Sequence, residues 1–416
     1  SRSQVARRCS GRGGSSRSGS RCRRRAPRRF RRRSGVGTGA ALGVDIGSRS
    51  VKILLARSTA ERLVIETAGS FDIPDGLVAG GVIVDPREFG RTLAKYLAHV
   101  GAESADAVFS VPSSLAVLRW LALPDLPPAE LTDAARYKVK RHLPFPVESA
   151  YIAASRDSAA DDGQAMVVAV PRAAIDSRAE AMLHAGLRPV HAEIEAQAIL
   201  RVMERRLSRR GALWRDASLT ILDIGGTSTH MYVVQSRRLQ FIRGVKFGAS
   251  IFHDAVARDL NIDLARTHGL MAHADTRLEK RGRLLIPMNG DTAIVNVEAE
   301  LEKLTREFLR LMRYFRSLHP ERSYAGILDH AVLCGGLVGL KGLDGFLQAT
   351  LGLRIEMARP IAGLMTRFSP ETFAAVSHRQ EAFTTAMGLA LAGLSHDTAG
   401  TGQEDGNREF VWKRAV

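Results

Sequence analysis

An α/β fold made of two similarly folded halves around a cleft, with a smaller α/β unit inserted in the first half, is the architecture predicted by this 416-residue sequence. Three observations carry the prediction. A short pattern occurs twice, at Gly43-Val44-Asp45-Ile46-Gly47-Ser48 and at Leu222-Asp223-Ile224-Gly225-Gly226-Thr227, with its Asp residues 178 positions apart. Apolar strand-like runs alternate with helix-like stripes along both halves. A third motif, the apolar run ending at Cys334 and followed by Gly335, Gly336 and Leu337, leads into a helix near Leu343.

Each copy of the repeated pattern reads as a strand, a tight turn and a returning strand. The apolar run brings Asp45 or Asp223 to a strand end, glycine bends the backbone, and hydroxyl residues follow: Ser48 and Ser50 in the first copy, Thr227, Ser228 and Thr229 in the second. Amides and hydroxyls then converge on one point, where two facing turns can grip phosphates while the two carboxylates hold Mg²⁺ through water. Glycines at Gly335 and Gly336 leave room for a flat base against the backbone. No GxxxxGK[ST] occurs, and no GxGxxG opens a helix after a strand, so the P-loop and Rossmann phosphate devices are excluded.

At 45% hydrophobic and 25% charged, the chain can bury a large core in more than one domain. The net charge of +17 is concentrated: residues 1–39 hold 14 Arg and no Lys, Asp or Glu, which leaves +3 for the rest. That segment lacks apolar content and is expected to be disordered, whether as a non-essential extension, an anion-binding arm or a transit-type segment. The nearly balanced body gives no reason to infer a nucleic-acid groove. Cys9, Cys22 and Cys334 form neither a disulfide framework nor a zinc pattern, which fits a reducing compartment. The longest apolar runs fall short of the ~20 residues needed to cross a bilayer.

Along the chain, strands are expected at 41–47, 50–57 and 62–71. Asp85 as N-cap and Pro86 at the first helical position begin a helix to about 100, with Phe89, Leu93 and Leu97 on its stripe. Strands at 105–111 and 116–123 and a helix from Pro127-Pro128 to about 142, stopped by Pro144 and Pro146, complete an inserted unit placed at 72–148. Strands at 150–157, 164–171 and 188–194, with helices at 172–186 and 195–207, return to the first half, 40–216. From 217 the meander repeats at 217–224, 228–235 and 239–247, followed by a helix from Ala249. A second half is expected over 217–394, with a flexible tail from 395. Val297, Leu301, Leu304, Phe308, Leu311, Met312 and Phe315 form the core stripe of one long helix.

Within the insert, Val111-Pro112-Ser113-Ser114 and the run from Arg136 through Leu143-Pro144-Phe145-Pro146-Val147-Glu148 closely resemble the PilM family, the actin-like cytoplasmic components of type IV pilus assembly. That family shares its insertion point with the cell-division protein FtsA. The likeness runs from about Leu42 to Leu394. It implies two actin-like (RNase H-like) domains around a nucleotide cleft, an FtsA-type insert, and ATP with Mg as cofactors. Carried over motif by motif, it places Asp45, Gly47, Ser48, Ser50 and Lys52 in a first phosphate loop and Asp223, Gly225, Gly226, Thr227, Ser228 and Thr229 in a second. Gly335, Gly336 and Leu337 fall in the adenosine loop. Glu300 and Lys303, otherwise a solvated pair, match a ribose and base contact, and Arg49 departs from the small residue common in the superfamily.

The resemblance also implies the partner: the short cytoplasmic N-terminus of a PilN-like membrane protein, held in a groove between the first domain and the insert, near other pilus assembly components. It implies a cytoplasmic location, peripheral to the inner membrane through partners, with self-association left open. Trp120, in Leu118 to Leu121, reads as either a peptide contact or core. For hydrolysis, Glu195 or Gln197 at the strand-to-helix connection His191 to Gln197 can orient water, and Glu195 is equally suited to compensating a helix dipole. Turnover is expected to be slow or absent. Two other readings compete. One is an FtsA-like membrane-tethered filament protein using the segment Arg408 to Arg414, and the other is a small-molecule kinase.

Overall fold

The computed structural model describes residues 39–399 except 60–61, 104, 157–162, 210–217, 237, 319 and 321–326. The first meander is β1 (Ala40–Ile46), β2 (Ser50–Ser58) and β3 (Leu63–Asp72), followed by a small hairpin, β4 (Val78–Ala79) and β5 (Val82–Ile83). Helix α1 (Pro86–Val100) and β6 (Asp106–Val111) follow. As the sequence predicts, Asp85 caps α1 by accepting a hydrogen bond from the Glu88 amide at 2.9 Å. A small subdomain comes next, with β7 (Val117–Ala122), α2 (Pro128–Val139), β8 (Ala150–Arg156) and β9 (Gln164–Pro171). The chain then returns through α3 (Arg172–His184), β10 (Arg188–Ile194) and α4 (Glu195–Arg209).

The second meander is β11 (Ser218–Ile224), β12 (Thr229–Gln235) and β13 (Arg238–Val245). It leads to α5 (Ser250–Leu260), α6 (Leu264–Met271), and a separate antiparallel sheet of β14 (Arg277–Glu279), β15 (Arg283–Met288) and β16 (Asp291–Asn296). Helix α7 (Glu298–Leu318), β17 (His330–Cys334), α8 (Leu343–Leu351), β18 (Arg354–Met357), β19 (Met365–Thr366), α9 (Pro370–Ser377) and α10 (Thr384–Ala399) complete the described chain.

The two large sheets repeat one topology. In the first, the order is β10-β6-β1-β2-β3, extended by β19; in the second it is β18-β17-β11-β12-β13. In both, the meander is antiparallel and the two added strands run parallel to its first strand. Parallel strands need crossover connections, which α1 and α3 supply in the first half.

Two boundaries differ from the sequence expectation. The insert does not occupy 72–148, because β6 pairs with β1 and β10 and α1 packs against α3, so both belong to the large first sheet. The inserted sheet is β7-β9-β8, spanning 117–171 around its own core of Leu123, Leu131, Val139 and Val167. Nor does the second half keep the chain to 394: β19 pairs with β3, and α10 packs on β1, β2, β6 and α4. The Arg-rich 1–38, residues 210–217 at the expected junction of the halves, and the tail including Arg408 to Arg414 lie outside the described residues.

The halves share a core. Leu219, Ile221, Tyr232, Val234 and Val332, on one face of the second sheet, join the cluster built on the first sheet and α10. The opposite face packs with Phe252 and the stripe Leu301, Leu304, Phe308, Leu311 and Phe315 of α7. Helix α4 is held by a buried bidentate pair, Arg201 to Glu193 at 2.6 and 2.8 Å, with Arg201 also donating to the Gly388 carbonyl at 3.2 Å. At its far end Arg206 pairs with Glu356 of the second sheet.

α10 and α4 pack backbone against backbone: a β-carbon on Gly388 would stand 1.9 Å from the Ala198 carbonyl oxygen. Gly388→Ala is therefore expected to cost on the order of 3 kcal/mol through overpacking. Urea unfolding checks this, and an unchanged midpoint would refute the close packing.

Candidate functional site

The two repeated turns are closed by the same backbone bond. Gly47 N–H donates to the Ser50 carbonyl at 3.1 Å, and Gly225 N–H donates to the Ser228 carbonyl at 2.9 Å. The turns face each other closely enough that a β-carbon on Gly226 would lie 3.0 Å from Ser48 Oγ and 3.1 Å from Arg49 Cγ. Between them lies a cavity of about 610 Å³.

Its wall takes in Asp45, Gly47, Ser48, Ser50 and Lys52 from the first copy, and Asp223, Gly225, Gly226, Thr227 and Ser228 from the second. Gly335, Gly336 and Glu195 complete the predicted set it gathers. Gly335, at φ +101°, sits where a β-carbon would come within 2.6 Å of Asp223 Oδ1 and 2.4 Å of the Ile224 carbonyl, so a side chain is excluded by both conformation and space.

Four predicted residues fall elsewhere. Thr229 is fully buried and donates its hydroxyl to the Phe247 carbonyl at 2.7 Å, which fixes the end of the second meander. Leu337 is buried, and its amide donates to the Ile224 carbonyl. Glu300 faces Arg258 at 3.6 Å, and Lys303 Nζ lies 5.9 Å from the Phe247 ring centre. Neither of these last two reaches the cavity wall, because α7 presents that face to α5 and Phe247.

Charge is the distinctive property of the wall. Burial pushes the Asp45 carboxyl up to about 6, against the opposing pull of Lys52. Burial and the nearby Glu195 and Asp45 charges push Asp223 up to about 7. Burial also raises Glu195, against a hydrogen bond from the Ser113 amide at 2.9 Å. Ser113 completes a reciprocal cap on α4, since its Oγ accepts from Ala196 N–H at 3.1 Å. Tyr232, from the second half, donates to the same Oγ at 3.3 Å. Gln197 is absent from the cavity wall, so of the two candidates at this connection only Glu195 is placed for chemistry.

Among the described residues, no group of three His, Cys, Asp or Glu side chains is arranged to hold a metal ion directly. Asp45 and Asp223 stand at opposite turns, an arrangement suited to a hydrated cation. Arg49 pairs with Asp75 at 2.9 Å on the exposed rim, a contact of little energetic weight.

The sequence reading misses Arg178, Lys246, Glu381 and the β4–β5 hairpin, all of which contribute to the wall. No local motif marks them. Trp120 is neither core nor free surface: its Nε1–H donates to the Leu239 carbonyl at 3.1 Å and Arg238 lies over its ring at 4.6 Å, fastening the small sheet to β13.

Comparison with known proteins gives consistent findings. The family model for the type IV pilus assembly protein PilM matches residues 43–394. A solved PilM–PilN type IV pilus biogenesis complex aligns with a TM-score of 0.68 at 25% identity, covering 85% of this chain and 98% of that one. The ethanolamine utilization protein EutJ from Carboxydothermus hydrogenoformans aligns at 0.48 and 13% identity, over 85% and 89% of the two chains. MreB5 of Spiroplasma citri bound to AMPPNP aligns at 0.44 and 12% identity, over 87% and 98%.

The Asp45 shift fixes a sign. With a folded pKa of about 6 against an ordinary 3.8, the folded state alone takes up a proton between those values, and at pH 8 it carries the full penalty of a buried charge. Asp45→Asn is expected to be more stable than the parent at pH 8 by on the order of 2–3 kcal/mol, with the gap closing towards pH 4. Denaturant unfolding at the two pH values checks this; equal stabilities at pH 8 would contradict it.

Proposed function

The chain belongs to the PilM family of type IV pilus assembly proteins, and on that premise we propose that it is an ATP-binding scaffold of the pilus inner-membrane platform. In this reading its nucleotide cleft controls the grip of the small subdomain and its host on the N-terminus of a PilN-like membrane protein. The observation that carries the proposal is the pair of matching turns with identical closing bonds, facing across a cavity of about 610 Å³.

The residues fit ATP with magnesium. The amides and hydroxyls of Gly47–Ser50 and Gly225–Ser228 provide donors for phosphate oxygens, and Lys52 adds an ammonium between them. Asp45 and Asp223 would hold the hydrated cation, whose charge favours the ionised form that burial disfavours in both acids. Gly335 and Gly336 give a base access to the backbone. When bound, the magnesium ion would supply the positive charge nearest Asp45 and Asp223, and the phosphate oxygens would be met by Lys52 and the turn amides.

Slow or absent turnover fits the state of Glu195. Its Oε2 already accepts the Ser113 amide at 2.9 Å, which commits the carboxylate to capping α4 and competes with alignment of a water. The scaffold role fits the absence, among the described residues, of any helix long and apolar enough to cross a membrane. Attachment to the membrane would then run through the partner. The family match favours this reading over the filament and kinase alternatives.

Titration calorimetry tests both parts. The full chain is expected to take up ATP·Mg, and a synthetic PilN N-terminal peptide is expected to change affinity about fivefold or more between the nucleotide-free and ATP·Mg-bound forms. No nucleotide uptake by well-folded protein would remove the cofactor; equal peptide affinities would remove the switch. Residual hydrolysis is assigned to Glu195, so Glu195→Gln should lower it on the order of 100-fold while ATP affinity stays within about threefold.

A further inference from the structure

Arg178 is a fully buried arginine on α3, and it lies on the wall of the cleft. Its Nη1 donates to the Ala174 carbonyl at 3.0 Å and to the Gly81 carbonyl of the β4–β5 hairpin. Its Nε and Nη2 have no hydrogen-bond partner. Among the described residues no carboxylate stands within ion-pair distance of it. A buried guanidinium with two idle donors is costly, because desolvation is only partly offset by neutral carbonyls. Such a group is retained where something else completes it.

Its place in the cavity indicates what that is. Asp223 lies beside Gly335, at the end of the cleft where a base would enter. Arg178 shares the cavity wall with Glu195 and Asp45, the two carboxylates whose charges act on it. It sits on α3 and holds the β4–β5 hairpin through Gly81, both elements of the first half, whereas Gly335 follows β17 of the second sheet. A planar guanidinium with two free N–H groups matches the oxygens of a phosphate.

Resting on the nucleotide reading of the cleft, we propose that Arg178 is a direct ligand of the terminal phosphate of a nucleoside triphosphate, and that it makes this site distinguish triphosphate from diphosphate. The first two phosphates fall to the amides of the two turns, which serve both nucleotides equally. Only the third extends to Arg178. The same side chain holds the hairpin carbonyl at Gly81, while Ser177 Oγ accepts from the Ile83 amide at 3.3 Å, so α3 joins the phosphate ligand to the hairpin. Gly81 in turn packs on Leu115 and Pro112, at the entry to the small subdomain.

The test is calorimetric binding of ATP·Mg and ADP·Mg to the full-length parent, Arg178→Gln and Arg178→Lys, with thermal melts of each. The expected result is a loss of ATP affinity on the order of 10- to 100-fold in Arg178→Gln with ADP affinity within about twofold. Arg178→Lys, which keeps the charge without the fork, should be intermediate. Should Arg178→Gln fail to melt cooperatively, the ATP-to-ADP affinity ratio of Arg178→Lys decides: an unchanged ratio overturns the proposal. Equal losses for both nucleotides, with the ratio preserved, assign Arg178 to holding the hairpin alone and overturn it as well. A parent that binds ADP but gains nothing from the third phosphate overturns this proposal alone, whereas one that binds neither nucleotide overturns the cleft reading beneath it.

Discussion

Three carboxylates on the wall of one cavity repel one another and resist losing water, and the organisation of the cleft follows from that constraint. Asp45, Asp223 and Glu195 are each pushed towards the protonated form by burial; the Glu195 charge adds to the shift of both aspartates, and the Asp45 charge adds to that of Asp223. Lys52 and Arg178 are the cations placed among them. The protein holds this arrangement because the surrounding elements over-determine it: β1 and β11 are central strands, and α4 is capped by Ser113 from the entry to the small subdomain. The fold thus carries a locally unfavourable charge pattern that a cation bound among these acids would relieve, and such binding would raise stability.

The internal repeat is close in backbone and unequal in chemistry. Asp45 pairs across its hairpin with Lys52, whereas Asp223 pairs with His230. Burial lowers His230 to about 4, so at neutral pH it contributes no charge where the first copy supplies an ammonium. Beside its own acid the first half therefore sets an ammonium, Lys52, whereas the second sets a neutral imidazole beside the more strongly raised acid, and its wall cation, Lys246, comes from after the meander. Matching sheet orders and unmatched side chains together make a cleft with distinct ends.

Local chemistry is what the sequence made legible. Asp85 and Pro86 marked a helix start, and the two Asp–Ile–Gly turns marked their own geometry, because capping and tight turns are decided by a few adjacent residues. The residues flanking Pro144 and Pro146 pointed to the PilM family by likeness, while the exact edges of the insert stayed hidden. Whether β6 belongs to the large sheet depends on parallel pairing with β1, more than sixty residues away, which no local pattern encodes. The return of α10 was hidden for a related reason: its small and apolar residues are buried on nearly every side, so no amphipathic stripe shows which half it serves. No local pattern singles out Arg178, since only tertiary burial distinguishes it. Glu300 and Lys303 had the right types in the right order, and α7 turned them towards Arg258 and Phe247.

The strap at Trp120 has a mechanical implication. The small sheet is inserted in the first half of the chain, yet its indole donates to a main-chain carbonyl of β13, in the second. The subdomain thus bridges the two sheets like a tie-rod anchored on both sides. Rotation of one half against the other must either shear that bond and the Arg238 stacking or swing the sheet as a lever, which ties the subdomain's tilt to the angle between the halves.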